Sequence, residues 1–99
     1  MTAKSNRDHG KRCETTIARE LGGTRRGIMG GHDVESGPSA VEVKSRNTFS
    51  GVSFMEQAVR NCPSGKTPLV VVHITGKRHE GDMVMMRLKD WQGWHGNAC

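Results

Sequence analysis

The chain has 99 residues, of which 33% are hydrophobic and 13 are glycine, so it can bury one modest core and must carry much loop. Its 15 lysines and arginines against 10 acids give a net charge of +5, which favours a polyanionic partner, nucleic acid before acidic lipid, over a charge that serves solubility alone. With two Phe, two Trp and no Tyr it has no aromatic platform for unpaired bases, so duplex or branched nucleic acid is the expected form.

The cysteine pattern and the N-terminal sequence indicate where the protein resides. Cys13, Cys62 and Cys99 are widely spaced and form no C-x-x-C pair, so neither a disulfide framework nor a zinc site is predicted. No signal peptide is recognisable, and no apolar run approaches the ~18 residues of a membrane span. We therefore expect a soluble protein in the reducing cytoplasm, with no membrane partner.

Composition along the chain predicts one domain with short polar ends. Residues 1–10 are polar and lack apolar periodicity, so they are predicted to form a flexible arm. Residues 11–95 are predicted to form the single domain, and residues 96–99 a C-terminal tail.

The first predicted element is a helix over residues 11–21, ended by the glycine pair at 22 and 23. Glu14 lies within the apolar stripe of this helix. A charge that faces the core there destabilises the fold by roughly several kcal/mol unless another group compensates it. Either a shared metal ion or a salt bridge to a neighbouring arginine could compensate it. The apolar members of the stripe are Cys13, Ile17, Ala18 and Leu21.

Residues 22–31 are rich in glycine and contain Arg25 and Arg26. The sequence is too flexible to predict regular structure, so a basic loop is expected. It either embraces a phosphate backbone, which we favour, or simply connects helix to strand.

A hairpin is predicted next, from Asp33-Val34 through a turn at Gly37-Pro38 to a strand over residues 41–46. Apolar and charged residues alternate in the second strand, so Glu42 and Lys44 point the same way. The hairpin would bring Asp33 beside them. Paired carboxylates hold hard divalent cations, and a lysine can position water or offset charge. For a lone E-x-K, the solvated face of an edge strand is the competing interpretation.

The second half of the chain alternates helix and strand. A capping box, Ser53 to Glu56, predicts a helix that runs to Cys62 and carries Gln57 at the edge of its apolar stripe. Strands are predicted over 69–74 and 82–88, and a closing helix over 88–94 with Trp91 and Trp94 as apolar contacts. This order predicts an α/β fold with a central mixed sheet flanked by helices. The five histidines show no clustered metal spacing, and His32 is expected to be structural.

Glu14 on a helix, Asp33, and the stretch Glu42-Val43-Lys44 on the following strand together resemble the PD-(D/E)xK nuclease core. Within that superfamily the chain is similar to the small archaeal-type Holliday junction resolvases and their phage-encoded relatives. The resemblance runs from Arg12 to Trp94, although His32 stands where a proline is common. It implies a restriction-endonuclease-like core and a protein of a bacterial or phage-infected cell.

The resemblance also implies an activity, namely a Mg²⁺-dependent endonuclease (Mn²⁺ substituting) that cuts four-way DNA junctions as a homodimer in recombination and repair. Glu14, Asp33 and Glu42 would be metal ligands and, with Lys44 at the water, the catalytic set. A nuclease of the same core acting on nicks or flaps is the alternative, and a catalytically silent DNA-binding module is disfavoured. The expected DNA contacts are Arg12, Arg25, Arg26, Arg46 and Gln57.

The apolar run at residues 83–86, helped by Trp91 or Trp94, could supply the dimer surface. The competing interpretation is a central strand buried on both faces.

Overall fold

The structure, a computed structural model, describes residues 3–27 and 30–95. Five strands form one mixed sheet in chain order, with β3 and β4 parallel and the other neighbours antiparallel. The helices are α1 (Ala3–Leu21), α2 (Gly51–Asn61) and α3 (Leu88–His95), with a 3₁₀ turn at His79–Gly81. The strands are β1 (Thr24–Arg25), β2 (Val34–Ser36), β3 (Ser39–Arg46), β4 (Thr67–Ile74) and β5 (Met83–Met85). The predicted α/β fold is confirmed and is consistent with a restriction-endonuclease-like core.

Helices α1 and α2 cover opposite faces of β3 and β4. Alternate side chains of a strand point to opposite faces, so each of these strands packs under both helices. The larger core cluster lies under α1, and the smaller one, Phe54, Ala58, Val70 and Val72, lies under α2. Val41 and Val43 belong to the α1 side, so Glu42 and Lys44 face α2. The α1 cluster consists of Cys13, Ile17, Ala18, Val34, Val41, Val43, Leu69 and Val71.

Helix α1 begins at Ala3, so the predicted start at Lys11 and the arm over residues 1–10 were wrong about secondary structure from Ala3 onward. The prediction followed apolar spacing, which begins at Cys13 because that half of the helix packs on the sheet. Once that half is anchored, each further residue adds a hydrogen bond at little extra cost, so polar turns can continue the helix. Residues 1 and 2 of the arm and the predicted tail at 96–99 lie outside the described residues.

The glycine pair ends α1 as predicted. Gly22 has φ of 65° and donates its N–H to Arg19, and the N–H of Gly23 bonds to the carbonyl of Ala18. A Cβ at Gly23 would lie 2.1 Å from the carbonyl oxygen of Glu35, so only glycine fits there.

The following segment is more regular than predicted, because Thr24–Arg25 forms the edge strand β1 on β2. Residues 28 and 29 of the predicted loop lie outside the described part of the chain.

The capping box predicted at Ser53 is not used. Helix α2 begins at Gly51 with Ser50 as N-cap, and Ser53 Oγ donates instead to the Ser50 carbonyl. A Ser and a Glu three residues apart mark a helix start only when the chain enters at that point, and here the first turn is already formed.

Strand β5 is shorter than the predicted strand and lies at the edge of the sheet. Met83 is 44% exposed and Val84 60%, so a central strand buried on both faces is excluded. Trp91 and Trp94 on α3 are about half exposed. None of the described helices has the length and apolar character needed to cross a membrane.

Candidate active site

The β2–β3 hairpin positions Asp33 against the middle of β3, as predicted. Val34 pairs with Val41, and the Asp33 N–H donates to the Val41 carbonyl, so Asp33 continues the ladder by one residue. Asp33 Oδ2 accepts a 2.9 Å hydrogen bond from the N–H of Val43. The carboxylate is therefore fixed beside the Glu42-Val43-Lys44 stretch.

Glu42 and Lys44 are buried, with 4% and 7% of their surface exposed. The competing interpretation, that they form the solvated face of an edge strand, is therefore wrong: β3 is the third of five strands. Lys44 Nζ lies 3.4 Å from Glu42 Oε2, donates to Gln57 Oε1, and lies 5.8 Å from the centre of the Phe54 ring. Helix α2 thus holds the lysine head in place through two of its side chains.

Glu42 has an unused oxygen. Its Oε1 is buried and meets no hydrogen-bond donor in good geometry among the described residues, although the side-chain amide of Asn61 lies close to the Glu42 carboxyl. Burial, and next the charge of Asp33, raise the pKa of Glu42, while Lys44 and the nearby amide of Asn61 oppose that rise. An ionised carboxylate held this way is costly for the folded chain. The cost would be relieved by a cation bound at Oε1.

Asp33 couples Glu42 to Glu14 electrostatically. Burial raises the pKa of Asp33, against the hydrogen bond from Val43 and the charge of Lys44. Burial, and then the charge of Asp33, likewise raise the pKa of Glu14. Asp33 is therefore the member of this carboxylate set whose charge acts on both of the others.

Glu14 already has a protein partner. Arg25 Nε donates to Glu14 Oε1 at 3.1 Å, with both side chains partly buried. Of the two ways to compensate Glu14, the salt bridge is thus present in the structure. It leaves Glu14 Oε2 free of that contact, so a role for Glu14 as a ligand stays a prediction.

The structure does not gather Glu14, Asp33 and Glu42 into a ready-made metal site: among the described residues, the group with one donor atom each within 4.8 Å of the others is His73, His79 and Asp82. The three carboxylates supply only oxygen, the kind of ligand that Mg²⁺ and Mn²⁺ take, and Glu42 Oε1 meets no donor in good geometry among the described residues. Lys44 adds a fixed positive charge beside Glu42.

The arginines predicted to contact DNA are differently placed. Arg25 is tied to Glu14, and Arg26 donates to the Gly30 carbonyl and to His32 Nδ1 at 2.9 and 3.1 Å. Arg12 and Arg46 are exposed, on α1 and at the end of β3. Arg25 and Arg26 therefore also shape the loop, which the sequence did not reveal. Contact with DNA stays a prediction for Arg12, Arg25, Arg26 and Arg46.

His32 is buried in a hydrogen-bond network that the sequence did not reveal. It is 4% exposed and bonds through Nε2 to Glu35, which also pairs with Lys66 at 3.1 Å. The hydrogen bonds from His32 and Lys66 lower the pKa of Glu35. The network ties the hairpin to the start of β4, and only the i, i+3 spacing of His32 and Glu35 hinted at it.

Two of the histidines, which show no clustered metal spacing in the sequence, meet in the structure. His73 and His79 both meet the carboxylate of Asp82. The pattern H-x5-H-x2-D spans a strand end and a turn, and its members meet only through the tertiary fold.

For the nuclease activity that the resemblance implies, Gln57→Ala is expected to lower kcat for cleavage roughly tenfold, with KM nearly unchanged, because Lys44 loses the partner that fixes it while its charge remains. Glu56→Ala, one position earlier on the exposed side of α2, is the matched control. Steady-state kinetics on a labelled DNA substrate measure both. A Gln57→Ala variant with unchanged kcat would show that α2 does not position the lysine.

Comparisons with protein-family models, curated proteins and solved structures find no match for this chain.

Proposed function

We propose that the protein is a Mg²⁺-dependent endodeoxyribonuclease of PD-(D/E)xK type that acts on branched DNA. The observation that carries the proposal is the buried Glu42–Lys44 pair beside Asp33, with one Glu42 oxygen that meets no hydrogen-bond donor in good geometry among the described residues. Buried charges without full pairing destabilise a fold, so their presence together favours a functional role over a structural one.

Each residue of the site has a role in this proposal. Glu14, Asp33 and Glu42 would hold the cation. A bound divalent cation supplies charge neutralisation at the phosphate and makes water more acidic. Lys44 orients the attacking water and offsets the charge that develops on the phosphate. Gln57 is a positioning residue for Lys44.

The substrate class follows from charge and symmetry. The net charge of +5 and the exposed Arg12 and Arg46 favour a phosphate backbone. One acid cluster makes one incision, whereas resolving a four-way junction needs paired incisions on opposing strands. A two-fold dimer provides two clusters related by the symmetry of the junction. We propose that both sites then lie on one face, lined by Arg25, Arg26 and Arg46.

Cleavage is expected to require Mg²⁺ or Mn²⁺ and to stop with EDTA, while Ca²⁺ supports binding with little turnover. The test is a gel assay of the purified protein on duplex, nicked, flap and four-way substrates of equal length, with each cation in turn. Faster cutting of the junction in competitor DNA supports a resolvase.

The outcomes of this panel separate the candidate functions. If flaps or nicked duplexes are cut as fast as junctions, the proposal of a junction substrate fails, but the proposal of a nuclease stands. Undiminished cutting in EDTA would contradict the site, and binding without cutting under any cation would indicate a silent DNA-binding module.

A further inference from the structure

A cluster of imidazole and carboxylate groups lies where β4 ends and β5 begins. Asp82 accepts two hydrogen bonds, one on each oxygen, from His73 Nδ1 and His79 Nδ1, both at 2.7 Å. The two imidazole rings stack with their centres 4.0 Å apart and their planes 18° from parallel. One carboxylate thus aligns the same nitrogen of both rings.

The cluster is shielded without being closed. The His73 and Asp82 side chains are 7% and 9% exposed, and that of His79 is 28% exposed. A cavity of about 250 Å³ adjoins it between α1 and β5, with His79, Asp82 and Val84 in its lining. Water and small ions can therefore reach the cluster from one side.

The cluster lies across the sheet from Glu42 and Lys44. His73 follows Val71 by two residues on β4, so it lies on the α1 face of the sheet, whereas Glu42 and Lys44 face α2. The donors also differ in kind, because imidazole nitrogen suits Zn²⁺ and its neighbours, whereas carboxylates alone suit Mg²⁺.

We propose that His73, His79 and Asp82 form a second metal site, selective for a transition-metal cation of the Zn²⁺ class. One donor atom from each residue lies within 4.8 Å of the other two. Zinc bonds of about 2.0–2.2 Å in a tetrahedral site place donors about 3.3 Å apart, so the two hydrogen-bonded contacts lengthen slightly. Ligation at Nδ1 would require the proton of each ring to move from Nδ1 to Nε2. The rings would tilt out of their stack so that both nitrogens converge, and water would complete the coordination from the cavity side.

The metal would act as a cross-link. His73 is on β4, His79 in the 3₁₀ turn and Asp82 directly before β5, so one ion fixes both ends of the connection to the edge strand. Closing that loop in the folded chain favours the paired β4–β5 arrangement.

The test is a titration of the full chain with Zn²⁺ alone, by calorimetry, in a buffer with excess Mg²⁺ to occupy the carboxylate set. One equivalent of Zn²⁺ is expected to bind, with affinity reduced at least about tenfold in His79→Gln and in Asp82→Asn. Glu80→Gln is the matched control, because it removes the same charge from the same turn while its side chain is 77% exposed. Asp33→Asn with Glu42→Gln should leave the Zn²⁺ affinity unchanged.

A second measurement does not depend on the variants. Nitrogen-15 NMR of the imidazoles should show His73 and His79 ligated at Nδ1 and protonated at Nε2 once Zn²⁺ is added. The proposal is overturned if Zn²⁺ does not bind, which would leave Asp82 as a hydrogen-bonding clamp for two histidines. Binding that survives both variants and disappears on alkylation of the cysteines would overturn it equally.

Discussion

The Glu42→Gln variant should lose DNA cleavage by at least about 100-fold and, at the same time, melt at a higher temperature than the unsubstituted protein at pH 7.5. The first effect follows because glutamine keeps the shape of the side chain but removes the ligand charge. The second follows because the folded chain disfavours the ionised carboxylate: burial, and then Asp33, raise the pKa of Glu42 in spite of Lys44. Gel assays of cleavage and thermal melting by circular dichroism measure the two effects.

The stability gain should depend on pH. A carboxyl whose pKa is higher in the folded chain than in the unfolded chain binds more protons when folded, so its contribution to stability falls as pH rises between the two values. The cost is complete above the folded pKa and absent below the unfolded value, which is near 4.5. The melting difference between Glu42→Gln and the unsubstituted protein should thus be largest at neutral pH and shrink as the pH falls.

Glu35→Gln is the control with the opposite sign. The hydrogen bonds from His32 and Lys66 lower the pKa of Glu35, so the ionised form stabilises the folded chain at neutral pH. This variant should melt lower and still cleave DNA. Full cleavage by Glu42→Gln would contradict the assignment of Glu42 and Lys44 to an E-x-K motif. A lower melting temperature of Glu42→Gln would show that Glu42 stabilises the fold as the partner of Lys44.

The hairpin and its carboxylates were predictable because their signals are local. Alternation in Val41 to Lys44 identified the strand, and Gly37-Pro38 identified the turn, so the meeting of Asp33 with Glu42 followed from pairing alone. No alternation can show that β3 lies inside the sheet, however. The burial of Glu42 and Lys44 became visible only when β4 was placed beside them.

Several of the errors have a common physical cause, since they concern tertiary contacts between separate elements. Helix α1 continues to Ala3 because its other half is anchored on the sheet. Arg25 was expected in a basic loop at a phosphate backbone, and β1 places it against Glu14. The His73 cluster depends on a turn that brings His79 back over the end of β4. Composition and periodicity do not record such returns of the chain.

Val84→Asp should convert a dimeric protein to a monomer and abolish paired incision of a cruciform plasmid while leaving slow single nicking. The proposed function needs two carboxylate sets, and the exposed edge strand β5 is the surface that we propose joins two copies of the chain. A charge buried at an apolar interface reduces the free energy of association by roughly several kcal/mol, so the dimer affinity falls by about 100-fold or more. Light scattering gives the mass in solution, and the ratio of linear to nicked plasmid reports the pairing of incisions.

Val52→Asp supplies the matched control for the dimer, since Val52 is 78% exposed on α2 and takes the same substitution away from β5. It should stay dimeric and linearise the cruciform plasmid as the unsubstituted protein does. If Val52→Asp dissociates and Val84→Asp does not, the interface lies on α2 and the assignment to β5 is wrong. If the unsubstituted protein is a monomer both in solution and on the junction, the symmetry argument fails, and a nuclease that makes single nicks is the better account of the site around Asp33 and Glu42.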